Sequence, residues 1–413
     1  MEYVPRHAGD ALRRLLRIFP AVLVFGPRQS GKSTLVRRLL PDWLHLDLER
    51  PRDTALLEAD PEAFFRAHPR RVVLDEAQRL PGLFPILRTV LDRARGKGQV
   101  VLTGSATPAL LRTAAETLAG RIGLLELTPF RMVEVARTRL GADRWFWGGY
   151  PPVHALSGAA ARADWLDGYL STVLERDLPA LGLRLPPARL RRLATMLTHV
   201  HGSLLNVSDL ARSLGVSAAT VDHDLDALEG VFFLRRLPPY HANIQKRLTK
   251  SPKVYLRDTG LLHLLAGLRR PDDLDTWHHR GHSFEGLVVE EIVTLARERI
   301  VRPDTFFWRT QAGAEIDLLV SDGQRLIAIE IKLGAVDQYA VRGLRQGMAD
   351  LRVNKGWIVT GSGERRRASP DVEIVPWSDV ATGEIDFGFG RPRRRGRPAA
   401  RDSRTTPGAG SRC

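Results

Sequence analysis

The spacing of apolar and polar positions changes along this chain, and the changes divide it. Over residues 1–130, short apolar runs alternate with stretches of helical period. The runs are 21–25 (AVLVF), 43–48 (WLHLDL), 71–75 (RVVLD), 100–104 (VVLTG) and 123–127 (GLLEL). Helix-like stretches lie between them at 33–40, 53–67 and 83–95. Strands that are apolar throughout and separated by helices predict a parallel sheet covered on both faces. Gly-Gly and Pro-Pro in WFWGGYPP (145–152) then end the regular structure.

From 160 to 230 the period is almost wholly helical. SDLARSLG (208–215), SAATVDHDLDALEG (217–230) and VFFLRRLPPY (231–240) predict a helix, a Gly turn, a second helix and a strand. That is a helix-turn-helix with a winged extension. Beyond Pro271 the pattern predicts helix 283–299, strand 305–309, a hairpin at 314–332, helix 335–350 and strand WIVTG (357–361).

At 413 residues the chain has room for about two to four domains. No apolar run is long enough to cross a bilayer, and residues 1–20 lack the apolar core of a signal peptide. The one cysteine is Cys413, which excludes an internal disulfide and a cysteine-based metal site. A cytoplasmic location is expected, with no membrane partner. The net charge is +15, and the segment from Arg391 onward holds eight arginines against Asp402. The tail thus takes seven of the surplus charges and the body keeps eight, a balance that suits a polyanion such as DNA.

GPRQSGKS (26–33) matches G-x-x-x-x-G-K-[ST], with a strand entering and a helix leaving. Gly26 and Gly31 let the backbone curl so that N–H groups face phosphates. Lys32 offers charge to the β and γ oxygens, and the Ser33 hydroxyl can ligate Mg2+. Candidate ATP contacts are Gly26, Pro27, Arg28, Gln29, Ser30, Gly31, Lys32, Ser33 and Thr34. RVVLDEAQ (71–78) ends a strand in Asp75, a metal-side carboxylate, and in Glu76, placed to activate water. Thr103 or Ser105 in VLTGSA can sense the γ-phosphate, and Arg121 in LAGR can stabilise charge. The alternatives are a strand-end turn and a surface base.

GPRQSGKST, VVLDEAQ, LTGSA and LAGRIGLLELTPF resemble a widespread family of prokaryotic AAA-type ATPases that carry a C-terminal domain of unknown function. GGYPP, LERDLPAL (174–181) and SPKVYLRDTGLL (251–262) are similar to its second region, and the resemblance covers roughly 5–360. It implies ATP binding at the matching residues, notably Gly31, Lys32, Ser33, Asp75 and Glu76. AAA-type ATPases often form rings in which an arginine completes a neighbour's site, so a homo-oligomer, with Arg121 in cis or in trans, stays open.

A helix that reads DNA needs basic and amide side chains. Helix 217–229 instead carries Asp222, Asp224, Asp226 and Glu229, whereas relatives commonly have basic residues there. This favours a structural or protein-contacting winged helix over groove reading. Arg235, Arg236, Lys246, Arg247, Lys250 and Lys253 follow, either as a backbone-contacting wing or as a solvated face.

In AEIDLLVSDGQRLIAIEIK (314–332), Asp322-Gly323 predicts a two-residue turn. Asp317 then faces Ala328 and Glu315 faces Glu330. Ile316, Leu318, Val320, Ile327, Ile329 and Ile331 form the core face; Glu315, Asp317, Glu330 and Lys332 share the other. This D…E-x-K arrangement resembles the core of the PD-(D/E)xK nucleases, which implies Mg2+ held by Asp317 and Glu330. The resemblance also implies catalytic roles for Glu330 and Lys332, and an acid on the preceding helix, Glu285 with Glu291 as the alternative. An active nuclease, an inactive nuclease-like fold and an unrelated hairpin with a wet polar face are the three readings. RRRGRP (393–398) resembles an AT-hook, against a disordered solubilising tail.

The expected architecture is α/β: a P-loop ATPase sheet over 1–140, a helical linker over 141–189 and a winged helix-turn-helix over 190–270. A nuclease-like domain over 271–388 and a disordered basic tail over 389–413 complete it. The expected activity is ATP hydrolysis coupled to a nuclease-like module at DNA. The alternative is an ATP-controlled switch that recruits protein partners.

Overall fold

The structure, a computed structural model, describes residues 2–94, 96–105, 113–114, 116–180, 186–240, 251–310 and 313–390. Lys246, Arg247, Lys250 and the arginine-rich segment from 391 lie outside them.

The five expected strands are β1 (Ala21–Gly26), β2 (Leu44–Asp47), β3 (Val72–Asp75), β4 (Val100–Ser105) and β5 (Ile122–Glu126). They form one sheet in the order β2-β3-β4-β1-β5, parallel throughout. Its inner strands β1, β3 and β4 are buried on both faces, which is why they read as unbroken apolar runs. The helices α1 (Ala8–Leu16), α2 (Lys32–Leu39) and α3 (Leu83–Ala94) belong to this layer. The single helix expected at 53–67 is two helices, Pro51–Ala59 and Pro61–Ala67. Pro61 has no N–H to continue the first, and Asp60 accepts from Ala63 N to begin the second.

A helical region follows: α4 (Ala159–Thr172), a π-helical turn Val173–Asp177, α5 (Pro187–His199), α6 (Val207–Leu214) and α7 (Ala218–Gly230). Gly215 closes α6 at a φ of 68°, and Ser217 caps α7 by accepting from Thr220 N. Beside them stands an antiparallel sheet of β6 (Ser203–Leu204), β7 (Leu234–Leu237) and β8 (Lys253–Leu256), with β8 central.

The third layer is a mixed sheet of β9 (Asp304–Arg309), β10 (Glu315–Ser321), β11 (Leu326–Lys332), β12 (Gly356–Thr360), β13 (Arg366–Ser369) and β14 (Val372–Pro376). Their order is β13-β14-β12-β11-β10-β9. α8 (Arg280–Arg299) packs on one face beside Leu318, Val320, Ile329 and Ile331. α9 (Gln338–Leu351) packs on the other beside Trp308, Ile316, Leu319 and Ala328.

Two features of the hairpin differ from expectation. Leu318 pairs with Ile329 and Ser321 with Leu326, so four residues, 322–325, form the turn. The Asp322 carboxylate accepts from Gln324 N at 3.0 Å and Arg325 N at 2.7 Å, which holds a wider loop than Asp-Gly alone suggests. A register irregularity between Ile316 and Leu319 also turns Ile316 to the face opposite Leu318. The polar side of the hairpin is largely closed: Asp317 and Glu330 are both buried, and Lys332 stays partly exposed.

Candidate functional sites

The first site lies at the C-terminal edge of the parallel sheet. β1 delivers the chain into the loop, and Gly26 packs so tightly that a Cβ there would stand 2.2 Å from Leu127 O. Gly31 at φ 93° and Gln29 at φ 60° turn the backbone into α2. A left-handed non-glycine residue costs about 1–3 kcal/mol and marks a conformation the surroundings impose. The N-terminal N–H groups of α2 and its dipole then face the loop, an arrangement suited to phosphate.

Lys32 is buried, and its Nζ donates to Pro27 O at 2.8 Å and Gly26 O at 3.1 Å. Burial lowers its pKa to about 8, against the opposing pull of Glu76 and Asp75. Ser33 Oγ donates to Asp75 Oδ1 at 2.9 Å, and Thr103 Oγ1 donates to the same oxygen. The sheet order explains the trio, because β4 with Thr103 lies between β1 and β3. A hydroxyl and a carboxylate in contact are the all-oxygen donor set that Mg2+ prefers, so Ser33 and Asp75 fit that ion. Glu76 follows at φ 58°, held by the Gln78 side-chain amide. Ser30 is buried with an unpartnered hydroxyl, while Gln29 and Thr34 face solvent. The Ser105 side chain lies outside the described part.

Arg121 does not join this site. It precedes β5 at the opposite edge of the sheet, where its carbonyl accepts from Ala21 N at 3.0 Å. Its guanidinium holds Asp92 of α3 at 2.6 Å. Strand direction decides this: a parallel sheet places strand starts and strand ends at opposite edges.

Two arginines brace the loop: Arg6, which sequence reasoning passed over, and Arg28, which it named only as an ATP contact. Arg6 donates to Ser30 O at 2.8 Å, Thr128 O at 2.5 Å and Pro129 O at 3.1 Å, and pairs with Glu134 at 2.9 Å. Arg28, inside the loop, pairs with Asp177 of the π-helical turn at 2.7 Å. No local motif marks Arg6, whose partners lie 24 to 128 residues away.

The second site lies in the third layer. Glu285 of α8, Asp317 of β10, and Glu330 and Lys332 of β11 are brought together as expected, but with a cation among them. Lys253, at the start of β8, is 3% exposed. Its Nζ lies 3.0 Å from Glu285, 2.5 Å from Glu315 and 2.9 Å from Asp317. Tyr255 OH adds a hydrogen bond to Glu285 at 2.6 Å, and Ile331 N donates to Asp317 at 2.9 Å. Lys332 pairs with Glu330 at 2.7 Å and stays partly exposed. Burial, with Asp317 adding, raises Glu330 to about 8 and Glu285 to about 7. Asp317 is held low despite burial, because Lys253 and Lys332 face it. An ammonium already stands between Glu285 and Asp317, so the expected metal residues Glu285, Asp317 and Glu330 do not fit a divalent ion as arranged. Among the described residues, no group of three or more His, Cys, Asp or Glu side chains is placed to hold a metal.

Glu291 goes elsewhere, accepting from Met132 N at 2.6 Å. Of the expected basic wing, the described residues are engaged internally: Arg235 pairs with Glu290, Arg236 with Asp226 and Glu229, and Lys253 is the buried cation. The acidic face of α7 is largely used internally. Asp224, fully buried, takes Arg189 through two bonds of 2.8 and 3.0 Å. Of the four acids only Asp222 remains an exposed surface charge without a described pair.

A parallel sheet with a curled loop, a buried lysine and a Ser–Asp contact at one edge defines a nucleotide-binding P-loop ATPase domain. Residues 19–136 match the family model of the AAA domain. Residues 138–272 and 280–387 match two domains of unknown function, DUF8612 and DUF4143. The chain belongs to the family of the uncharacterized protein Rv2008c of Mycobacterium tuberculosis and its counterpart Mb2031c of Mycobacterium bovis. It is 40% identical to each over 386 residues, 92% of this chain and 86% of theirs. Among solved structures, a Walker-type ATPase (paby2304) of Pyrococcus abyssi gives a TM-score of 0.43 at 15% identity. That likeness spans 64% of this chain and 96% of that one. The RuvB Holliday junction branch migration motor of Thermotoga maritima gives 0.27 at 20%, over 56% and 86% of the chains. Among the described residues, no helix is long and apolar enough to cross a membrane.

Proposed function

We propose that this chain binds Mg-ATP at the loop Gly26–Ser33 and hydrolyses it, and that the cycle drives a nuclease-like C-terminal module at DNA. The observation that carries the first part is the Lys32, Ser33, Asp75 and Thr103 constellation at one sheet edge. In this reading, backbone N–H groups of Arg28, Gln29, Ser30 and Thr34 help hold the phosphates, Pro27 lends its carbonyl to Lys32, and Lys32 neutralises the β and γ oxygens. Ser33 and Asp75 hold and orient Mg2+, which supplies charge neutralisation on the phosphates when bound. Glu76 orients the attacking water, and Thr103 reports the γ-phosphate. The modules meet near residues 140, 189, 270 and 388, with a winged helix between the ATPase and the nuclease-like sheet.

The basic surplus of the body supports a polyanionic partner. The protein-recruiting alternative draws on the acids of α7, and the pairs of Asp224, Asp226 and Glu229 leave it less surface. The deciding experiment is ATP turnover with and without DNA, at several salt concentrations. Stimulation that fades with salt is expected. Turnover indifferent to every DNA form would remove DNA from the reading.

A further inference from the structure

An ammonium has three N–H donors, and Lys253 places all three within reach of carboxylates: Glu315, Asp317 and Glu285 at 2.5, 2.9 and 3.0 Å. Carboxylates this close and this buried repel one another unless a cation or a proton intervenes. The acids come from α8 and β10, whereas the cation comes from β8, so the contact crosses from one sheet to another. Lys253 is also fixed in place. It lies between Leu204 and Leu237 in the ladder of β6, β8 and β7. The chain beyond β7 is tied to β9, with Tyr240 N donating to Phe307 O at 2.7 Å. The ammonium is part of the frame.

Glu330 supplies the second observation. It is 6% exposed, gives one oxygen to Lys332 at 2.7 Å, and keeps Oε2 buried with no partner. Glu330 thus holds acceptor capacity that the present side chains leave unused, beside Lys332 and under the influence of the Asp317 carboxylate.

We propose that Lys253 is the resident cation of this cluster: the intact chain takes no divalent ion there, and removing the ammonium uncovers a divalent-cation site built from Glu285, Asp317 and Glu330. The inference rests on the nuclease-like reading of this module and is independent of ATP turnover. Its consequence is that metal-dependent cutting by this cluster is closed in the intact chain.

The test titrates Mn2+ into the full-length, nucleotide-free protein and follows free Mn2+ by electron paramagnetic resonance. Wild type and Glu330→Gln are expected to bind the same number of ions, since Glu330 makes no contact with Lys253 that the change would break. Lys253→Met is expected to gain one equivalent, which Lys253→Met/Glu330→Gln loses. An equivalent bound by wild type and lost in Glu330→Gln would overturn the proposal. So would a folded Lys253→Met, by circular dichroism, that gains none. If Lys253→Met does not fold, Lys253→Gln takes its place, and the wild-type comparison decides the first half alone. Phosphate release from ATP, measured on the same samples, reports the loop separately, so the two readings fail distinguishably.

Discussion

Ser33 Oγ donates a hydrogen bond to Asp75 Oδ1 across 2.9 Å, joining the first turn of α2 to the end of β3. The two residues are far apart in sequence, and β4 separates their strands. The contact exists because the loop returns over the sheet edge after β1. It puts the hydroxyl and the carboxylate where one cation can meet both, beside the amine of Lys32. Lys32→Ala is expected to abolish measurable ATP binding or turnover. Asp75→Asn should lower turnover by about 10²–10³-fold, the scale for losing one preorganised charge. Glu76→Gln should keep binding while losing about 10²–10⁴-fold in turnover. Phosphate release and a fluorescent-nucleotide titration read these effects, and an unimpaired Glu76→Gln would take the water-activating role from that residue.

Arg6 holds four oxygens at once, three of them backbone carbonyls: that of Ser30 inside the phosphate loop and those of Thr128 and Pro129 beyond β5. Bonds to a charged group contribute about 1.5–3 kcal/mol each, and a buried acceptor left without its donor is costly. Arg6→Ala should therefore lower the melting temperature and weaken ATP binding together. Arg6→Lys should not restore either, because a single ammonium cannot span the fork of a guanidinium. Calorimetry with ATP on both variants measures this.

These two sites show where sequence is informative. Asp75 was legible because it ends an apolar strand of a parallel sheet, and such strands announce themselves as unbroken runs. Lys32 and Ser33 were legible because their spacing is local. Lys253 was not: it opens the strand KVYL, and the acids it serves lie 32 and 64 residues further on. Arg121 sits in the motif-like LAGR, yet chain direction puts it at the far sheet edge. The hairpin turn misled for a local reason, since Asp322 spends its carboxylate on Gln324 and Arg325 backbone N–H groups. Which residues are acidic was readable; which cation they share depended on the tertiary fold.

Glu290 of α8 receives Arg235 and Arg257, the latter at 3.1 Å, and Arg257 also reaches Glu126 at the end of β5 at 2.6 Å. Burial works to raise its pKa, but the two guanidinium groups win and hold it at about 2. A carboxyl depressed on folding adds stability above its unfolded pKa and loses it as pH falls through the folded value. The contribution, on the order of 3 kcal/mol, should be complete above about pH 5 and lost between about pH 4.5 and 2. Glu290→Gln should be less stable at pH 7, and its unfolding midpoint should vary less across that acid window. Urea titrations at stepped pH test it, and parallel profiles for the two proteins would sink the linkage.

Asp224 is fully buried under Arg189, which reaches it from the first turn of α5. Arg189→Ala strands a buried carboxylate and should cost about 3–5 kcal/mol, far more than a surface pair. Replacing both by Leu should recover most of that loss, because no unpaired charge remains. Equal destabilisation of the single and double variants in urea would show that the pair matters through packing alone.

Arg28 ties nucleotide chemistry to the helical region. It sits inside the phosphate loop, yet its guanidinium is committed to Asp177 at 2.7 Å, with Glu49 further off at 3.5 Å. Asp177 closes a π-helical turn, a wide-wound segment that continues straight from α4. Such turns occur often at functional sites, since the extra residue per turn leaves a backbone that can rewind. A triphosphate in the loop would compete with Asp177 for the same guanidinium, so binding on one side should loosen the other. Asp177→Asn weakens the hold on Arg28 and should tighten ATP binding by about tenfold, the value of one charge-assisted hydrogen bond. Hydrogen exchange across 169–178 should rise on adding ATP to wild type and change little in Asp177→Asn. If the variant binds ATP more weakly and exchange is unaltered in both, Asp177 positions the loop for nucleotide and does not compete with it.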